Sequence, residues 1–534
     1  MFYRRNKQMS RAASSSLMSR HEPVQVLETR RLLSGVTLGH LGTYESGTFD
    51  EGGAEIIAHD PRTQRLFSVN GATNAIDILD ISDTSNPTKI GAIDVTPYGG
   101  GAQSVAVRDG IVAVAIQHDN KVLRGNVSFF NADGRFINSV KVGALPDMLT
   151  YTPDGRNILV ANEGEPDDAH KNDPEGSVSI IPVWKGVSGI TSDDVIRVGF
   201  NAFNGQRAEL IASGVRIFGP KASVAEDLEA EYVAVSADSK TAWVTLQENN
   251  AIARIDIEAA TVEKIIPLGY KDHSLAGNGI DASDRDGGIN IKNWPVFGMY
   301  QPDAIAAVEF NGQTFLVTAN EGDVREYEGF NELTRVGGLK LDPTAFPDAA
   351  DLQKNANLGR LRVTNMLGDT DGDGDFDKLY AFGARSISVW TEDGQLVWDS
   401  GDELEQITAQ AFPGFFNASN TNNTFDDRSD DKGPEPEGLT VGEVDGELYV
   451  FAGLERIGGA AIFNVSNPTS PQFVKYSNNR IFTGDPEAGT ACDLGPEGLL
   501  FIRREDSPTD DDLLGVANEI SGTVSLFEIK TTAA

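Results

Sequence analysis

The densest run of potential ligands in the chain is DTDGDGDFD, Asp369 to Asp377. Aspartates stand at 369, 371, 373, 375 and 377, with Gly374 in the sixth place. Calcium takes about six to eight hard oxygens, which alternate Asp side chains on a tight loop can supply, and glycine at the sixth place permits the sharp turn. A helix–loop–helix site would need an acid at the twelfth place, where this chain has Tyr380. Asp377 at the ninth place suits a calcium loop between β-strands, and the flanking runs RLRVTNM and KLYAFGA are strand-like. Asp369, Asp371, Asp373, Asp375 and Asp377 are therefore the expected metal ligands. The same residues would also serve as a solvated acidic turn.

A second pattern is spread along the chain. Ala-Asn-Glu follows a short β-type run three times, in LVANEGEPDD, LVTANEGDVREYE and GVANEISGTVSLFEI, which brings Glu163, Glu321 and Glu519 to one recurring place. Aligning further runs adds Glu248 and Glu455 there. The residues entering the preceding run of each unit are Glu55, Gln103, Asp147, Glu231, Asp303, Glu437 and Glu497, all acidic but one. Crowded carboxylates repel unless cations or arginines intervene. Arg456 in GLERIGG and Arg385 in GARS are candidate counter-charges. Repeated polar residues at such places also commonly do no more than bond neighbouring loops. Two acid-rich stretches are expected to hang over the same end: GNGIDASDRDGGINI, with Asp281, Asp284 and Asp286, and FDDRSDDKGPEPEG, with Asp426, Asp427, Asp430, Asp431 and Glu435.

The elements that would position these acids repeat. AEIIAHD, RLFSVNG, AIDILDI and KIGAIDV are four short strand-like runs separated by turn residues, and AQSVAVRDG, IVAVAIQHD, NVSFFNADG and FINSVKVG repeat the order. Asn-Pro-Thr recurs at 86–88 and 467–469 within similar turns. Seven such units predict an all-β, seven-bladed β-propeller, because a four-stranded blade buries its faces only by stacking on its neighbours. The last unit ends at its third strand, so VTLGHLGTYES (residues 36–46) is expected to supply the fourth and close the ring, removing two free sheet edges. In a propeller the first strand leaves, and the second returns to, the same mouth of the central channel, so both sets of acids should crowd there. Insertions are expected at about 199–231, helical in its second half, and 323–384. The domain reading is a basic leader or arm over 1–35, one propeller over 36–530 and a tail of 531–534.

Composition narrows the function. With 80 acidic and 44 basic residues the formal net charge is -36, a field that repels nucleic acid and anionic membranes and attracts cations. The single cysteine, Cys492, excludes an internal disulfide, and six scattered histidines argue against a histidine-based zinc site. P-loop, dinucleotide and nucleophile-elbow motifs are missing, as is any apolar run long enough to span a membrane. LETRRLLS (Leu27 to Ser34) resembles the Leu-Glu-Pro-Arg-x-Leu-Leu-Ser leader of exported bacterial proteins, with Thr29 in place of proline. The terminal FEIKTTAA has no hydrophobic tail, so no C-terminal anchor is expected.

Several long motifs carry a family resemblance. FDDRSDDKGPEPEGL, GLERIGGAAIFNVSNPTSP, TLQENNAIARIDI, YQPDAIAAVEFNG and LGDTDGDGDFDKLYAFGARSISVW together resemble the choice-of-anchor I family, from about Val36 to Lys530. The resemblance implies a secreted or cell-surface propeller, and some bacterial members carry an alkaline phosphatase label. Two functions follow. One is an exported calcium-binding scaffold, expected to be a monomer, with an extracellular matrix or surface component as partner. The alternative is a metal-dependent phosphoesterase acting on a phosphorylated small molecule. There Glu163, Glu321, Glu437 and Glu455 would hold metal at the channel mouth, and Arg456 or Arg385 would bind a phosphate oxygen.

Overall fold

The computed structural model describes residues 35–532. The leader reading, including LETRRLLS, lies outside the described residues except for Gly35, as do the last two residues of the tail.

The fold is all-β and propeller-like, built on seven four-stranded antiparallel sheets. Their first strands are Ile57–Asp60, Gly101–Arg108, Pro146–Tyr151, Val233–Val235, Ile305–Phe310, Pro436–Val444 and Pro496–Ile502. Their second strands are Arg65–Asn70, Ile111–Gln117, Asn157–Asn162, Thr241–Leu246, Gln313–Asn320, Glu447–Leu454 and Leu513–Asn518. The second strands read as continuous apolar runs because both faces are covered: in Leu513–Asn518 every residue is buried. The fourth strand of the first sheet, Thr88–Asp94, is exposed along most of its length and correspondingly polar. In the seventh sheet the outer strand is Gly35–Glu45, antiparallel to Thr523–Thr532.

The hydrophobic cores lie between sheets. Phe67, Ile76 and Ile78 of the first sheet pack with Val112, Val114 and Phe130 of the second, and Val127 and Phe129 of the second with Ile158 and Ile181 of the third. The repeated Asn-Pro-Thr is not one structural place. Asp83, not Asn86, corresponds to Asn467: Asp83 Oδ1 accepts from Ser85 N at 3.0 Å, and Asn467 Oδ1 from Thr469 N at 3.2 Å. What the two turns share is a proline, Pro87 or Pro471, immediately before the outer strand.

The insertions are more extensive than expected. The first holds a helix at Arg207–Ser213, in its first half, and a single turn at Val224–Asp227 closed by a Ser223–Glu226 capping box, so only that turn lies in the half where the pattern placed the helix. A five-stranded sheet joins Tyr270–Asp272 and Phe297–Met299, from between the fourth and fifth sheets, to Tyr380–Ala381, Arg362–Thr364 and Leu333–Arg335 from inside the fifth. It has its own core, with Trp294, Val336, Leu358 and Leu361 buried together.

Candidate metal centre

Each of the seven recurring residues sits on a β-bulge. In four sheets the register slips across Gln103, Asp147, Glu437 and Glu497. In the other three, two residues oppose one: Glu55 N donates to Val69 O while Val69 N donates to Ile56 O, and the same pair of bonds ties Glu231 and Tyr232 to Thr245, and Asp303 and Ala304 to Ala319. A bulge re-aims the side chain it carries and is common beside functional sites. Four of these acids share a second device. Two residues upstream, Leu145, Gln301, Glu435 and Gly495 have left-handed φ of 46°, 40°, 51° and 69°. Their carbonyls accept from the N–H of Glu163, Gly322, Glu455 and Glu519. Three of the four are not glycine, so strain is accepted there to aim the chain.

The Ala-Asn-Glu motif divides its labour. Ala packs in the core, Asn ties the strand end to the next strand, and Glu projects beyond. Asn162 Nδ2 donates to Ser177 O at 3.0 Å and Ser179 Oγ at 3.1 Å. Asn320 Nδ2 donates to Ser388 Oγ at 2.7 Å, and Asn518 Nδ2 to Thr523 Oγ1 at 3.1 Å. Glu163, Glu321, Glu455 and Glu519 follow directly on their strands, and Glu248 comes two residues past its own.

The two sets of acids meet in one field. Burial, then Glu519 and Asp147, push Glu55 up to about 8. Burial and Glu248 push Asp147 up to about 7. Glu231, Asp303, Glu437 and Glu497 are raised well above the carboxylate range, by burial first and then by Glu248, Glu321, Glu455 and Glu55 respectively. Burial pushes Glu455 up to about 8 although Arg456 opposes it. Among the described residues, Oε2 of Glu229, Glu231, Glu248, Glu437, Glu455 and Glu497 is buried without a hydrogen-bond partner. Two triads bring carboxylate oxygens within 4.8 Å of one another: Glu321, Glu437 and Glu455, and Glu163, Glu229 and Glu248. Glu229 lies in the first insertion, outside both repeating sets, and only its place among Glu226, Asp227 and Glu231 marks it in the sequence.

Cationic side chains already serve the first triad. Lys432 Nζ donates to Glu321 Oε1 and, at 2.7 Å, to Gly322 O. Arg456 pairs with Glu455 at 3.0 Å and Glu435 at 2.9 Å. Burial would raise Glu435, but Lys432, Arg456 and Arg428 outweigh it and hold the carboxyl far below its ordinary range. Arg385 belongs to a different place. It is buried and spends its guanidinium on Glu405 at 2.6 Å, Asp281 O at 2.8 Å, Ser429 O at 2.9 Å and Asp431 O at 2.6 Å. Asp284, Asp430 and Asp431 of the acid-rich stretches pair with Arg360, Arg335 and Arg362 of the second insertion, which makes them struts.

A cover lies against the acids. Arg325 of the second insertion pairs with Asp227 at 2.8 Å and Glu229 at 2.9 Å of the first, and Arg216 of the first pairs with Glu332 of the second. A cavity of about 710 Å³ runs along the first strands, lined by His59, Arg108, Tyr151 and Arg503 near their far ends and, further in, by Ile56, Met148, Tyr232 and Gly498, each next to an acid, but by none of these acids.

The Asp369–Asp377 loop stands apart on the inserted sheet. Asp369, Asp371 and Asp377 bring carboxylate oxygens within 4.8 Å of one another, as do Asp342, Asp375 and Asp377. Gly372 and Gly374 are left-handed, φ 81° and 90°, as a tight loop requires. Asp373 is exposed, whereas Asp375 is buried against Lys340 Nζ at 2.9 Å. Asp342 was not expected. It reaches the loop because Asp342 N donates to Phe376 O at 3.0 Å, a pairing between segments distant in sequence.

The profile of the choice-of-anchor I domain matches residues 55–468. The chain belongs to the choice-of-anchor I domain family. Gigasin-3a of Magallana gigas is 35% identical over 191 residues, covering 34% of this chain and 67% of that protein. The mesenchyme-specific cell surface glycoprotein of Strongylocentrotus purpuratus is 30% identical over 237 residues, covering 38% of this chain and only 30% of that protein. Among solved structures, the WD40 domain from Toxoplasma gondii coronin aligns with a TM-score of 0.47 at 10% identity, covering 94% of this chain and 88% of that one. No helix among the described residues is long and apolar enough to cross a membrane, which says nothing of a β-barrel.

Proposed function

We propose that this choice-of-anchor I chain is a secreted or cell-surface binding module that takes up calcium at the Asp369–Asp377 loop. The scaffold is read as one domain over residues 36–530, a seven-bladed propeller closed by its N-terminal strand. Support for closure comes from Gly35–Glu45 pairing with Thr523–Thr532, and from a shared core in which Leu66 and Leu79 of the first sheet meet Leu513 and Leu526 of the seventh. The extracellular setting is supported by the name of the Strongylocentrotus purpuratus relative, a cell surface glycoprotein. A surface component is the partner that setting suggests.

The observation that carries the calcium reading is the convergence of the Asp369, Asp371 and Asp377 carboxylates on a loop folded by two left-handed glycines. Asp373 and Asp375 complete the expected ligand set, Asp375 by exchanging Lys340 for the ion. Calcium stabilises whatever state binds it, by mass action. The expected outcome is a calcium-dependent rise in Tm that EDTA reverses and that Asp371→Ala abolishes. A rise that survives Asp371→Ala would remove the loop from the reading.

The phosphoesterase alternative asks for a free arginine beside an open acidic mouth. Arg385 is committed to Glu405, and Arg456 to Glu435 and Glu455. None of these acids lines the cavity of about 710 Å³, although it reaches residues next to four of them, and Arg325 lies against Glu229. The scaffold reading is therefore preferred. Turnover of a phosphomonoester or phosphodiester that needs calcium and disappears in Glu455→Gln would reverse that preference.

A further inference from the structure

Three carboxylates converge where the third and fourth sheets meet the first insertion. Glu163 follows the strand Asn157–Asn162, Glu248 lies two residues beyond Thr241–Leu246, and Glu229 comes just after the turn Val224–Asp227. Each offers an oxygen within 4.8 Å of the others. Glu229 and Glu248 are only 2% and 4% exposed. Among the described residues, Oε2 of Glu248 is buried without a hydrogen-bond partner, and Oε2 of Glu229 meets Arg325 at 2.9 Å without hydrogen-bond alignment. A buried carboxylate oxygen left unpaired is costly, so something should neutralise it.

The protein's own cations do not suffice. Arg325 is shared with Asp227 at 2.8 Å, and Arg216 is spent on Glu332. The Glu321, Glu437 and Glu455 triad differs, since Lys432 and Arg456 sit against it. Nor are Glu229 and Glu248 free to swing away. Arg216 Nη1 holds Glu248 O at 2.6 Å, and Glu229 N donates to Asn249 Oδ1 at 3.3 Å. The backbones are pinned and the carboxylates aimed inward, which is how a preformed cation site is built.

We propose that Glu163, Glu229 and Glu248 form a second site, for a hard divalent cation of the calcium class, that joins the first insertion to the third and fourth sheets. Three carboxylates supply up to about six oxygens when bidentate, the donor type and number such an ion takes. The partly buried Glu163 leaves a side by which the ion can enter. This site is independent of the Asp369–Asp377 loop, so either can fail alone.

The test uses the full chain stripped with EDTA, with Asp369→Ala and Asp371→Ala together silencing the loop. Calcium and manganese are then titrated by calorimetry. About one ion per chain is expected to remain bound, and adding Glu248→Gln or Glu229→Gln should weaken it about tenfold or more. In EDTA Glu248→Gln is expected to melt no lower than its parent, because it removes a buried charge that no cation pairs, whereas Glu229→Gln also takes a partner from Arg325 and is read by affinity alone. Should one fail to fold, Glu163→Gln, at the partly exposed side, carries the same affinity test. A loop-silenced protein that binds no divalent ion, or glutamine variants that bind as their parent does, would overturn the proposal and leave protons as the neutralisers. Equal uptake with and without the loop substitutions would instead count against the loop reading and leave this site standing.

Discussion

Glu55 shows at the scale of one residue what the acid cluster costs when only protons neutralise it. A Cβ added at Gly52 or Gly71 would meet its Oε1 at 2.2 or 2.7 Å, so glycine at both places makes room for the carboxylate. Gly71 also occupies the position that holds glutamate directly after the second strand of four other sheets, which is why the first sheet lacks that acid. Burial, then Glu519 and Asp147, push Glu55 up to about 8, against about 4.3 for an unperturbed glutamate. Glu497, itself raised, faces it, and beyond lie Asp50 and Arg456 beside Glu519. A carboxyl raised in the folded state binds its proton more tightly there. Its stabilising contribution is therefore full below about pH 4.3 and is lost as pH rises through about 8. In EDTA, Tm is expected to fall between about pH 5 and about pH 8. Glu55→Gln should flatten that fall and raise Tm at the alkaline end, as read by calorimetry across the pH series. An unchanged slope would show that Glu55 does not hold a proton in the folded state. The acids were legible in the sequence because their spacing follows the strand repeat. The bulges that aim them were not, since Leu145, Gln301 and Glu435 carry no mark of left-handed backbone.

At the scale of elements, the N-terminal strand is the most exposed to test. Without Gly35–Glu45, the strand Thr523–Thr532 would present a ten-residue row of unpaired backbone groups, a template for pairing with other chains. Tyr44 would go too, and its hydroxyl donates to Asp77 Oδ2 at 3.0 Å, reaching from the seventh sheet to the first. Deleting residues 35–45 is expected to cause aggregation or to replace one cooperative melt by a broad one. A deletion variant that stays monodisperse by light scattering, with an unchanged melt, would mean that the strand does not seal the last sheet. Strand order was readable because each buried run is apolar and bounded by turn residues. Of the inserted sheet only Arg362–Thr364 and Tyr380–Ala381 were readable, inside RLRVTNM and KLYAFGA; the rest was not, because its strands are two or three residues long and one pairing, Phe297 with Tyr380, is parallel and bridges segments far apart in the chain. Periodicity cannot register so short a strand, and Asp342 was overlooked for the same reason.

For the whole molecule, the net charge of -36 and the two proposed cation sites make a joint prediction. A field of that sign raises the local concentration of every cation, and salt screens it over a distance that shrinks from about 10 Å at about 0.1 M to about 3 Å at about 1 M. The loop ligands Asp369 and Asp371 are exposed, so their attraction for calcium includes this long-range field and is open to screening. Glu229 and Glu248 are 2% and 4% exposed, and an ion held there interacts with its ligands across protein, where added salt hardly penetrates. Calcium affinity measured in Glu248→Gln, which reports the loop, is expected to fall steeply with sodium chloride. Affinity in the loop-silenced protein, which reports the buried triad, should fall far less. Parallel slopes would place both binding events on the surface and leave the buried carboxylates to their protons.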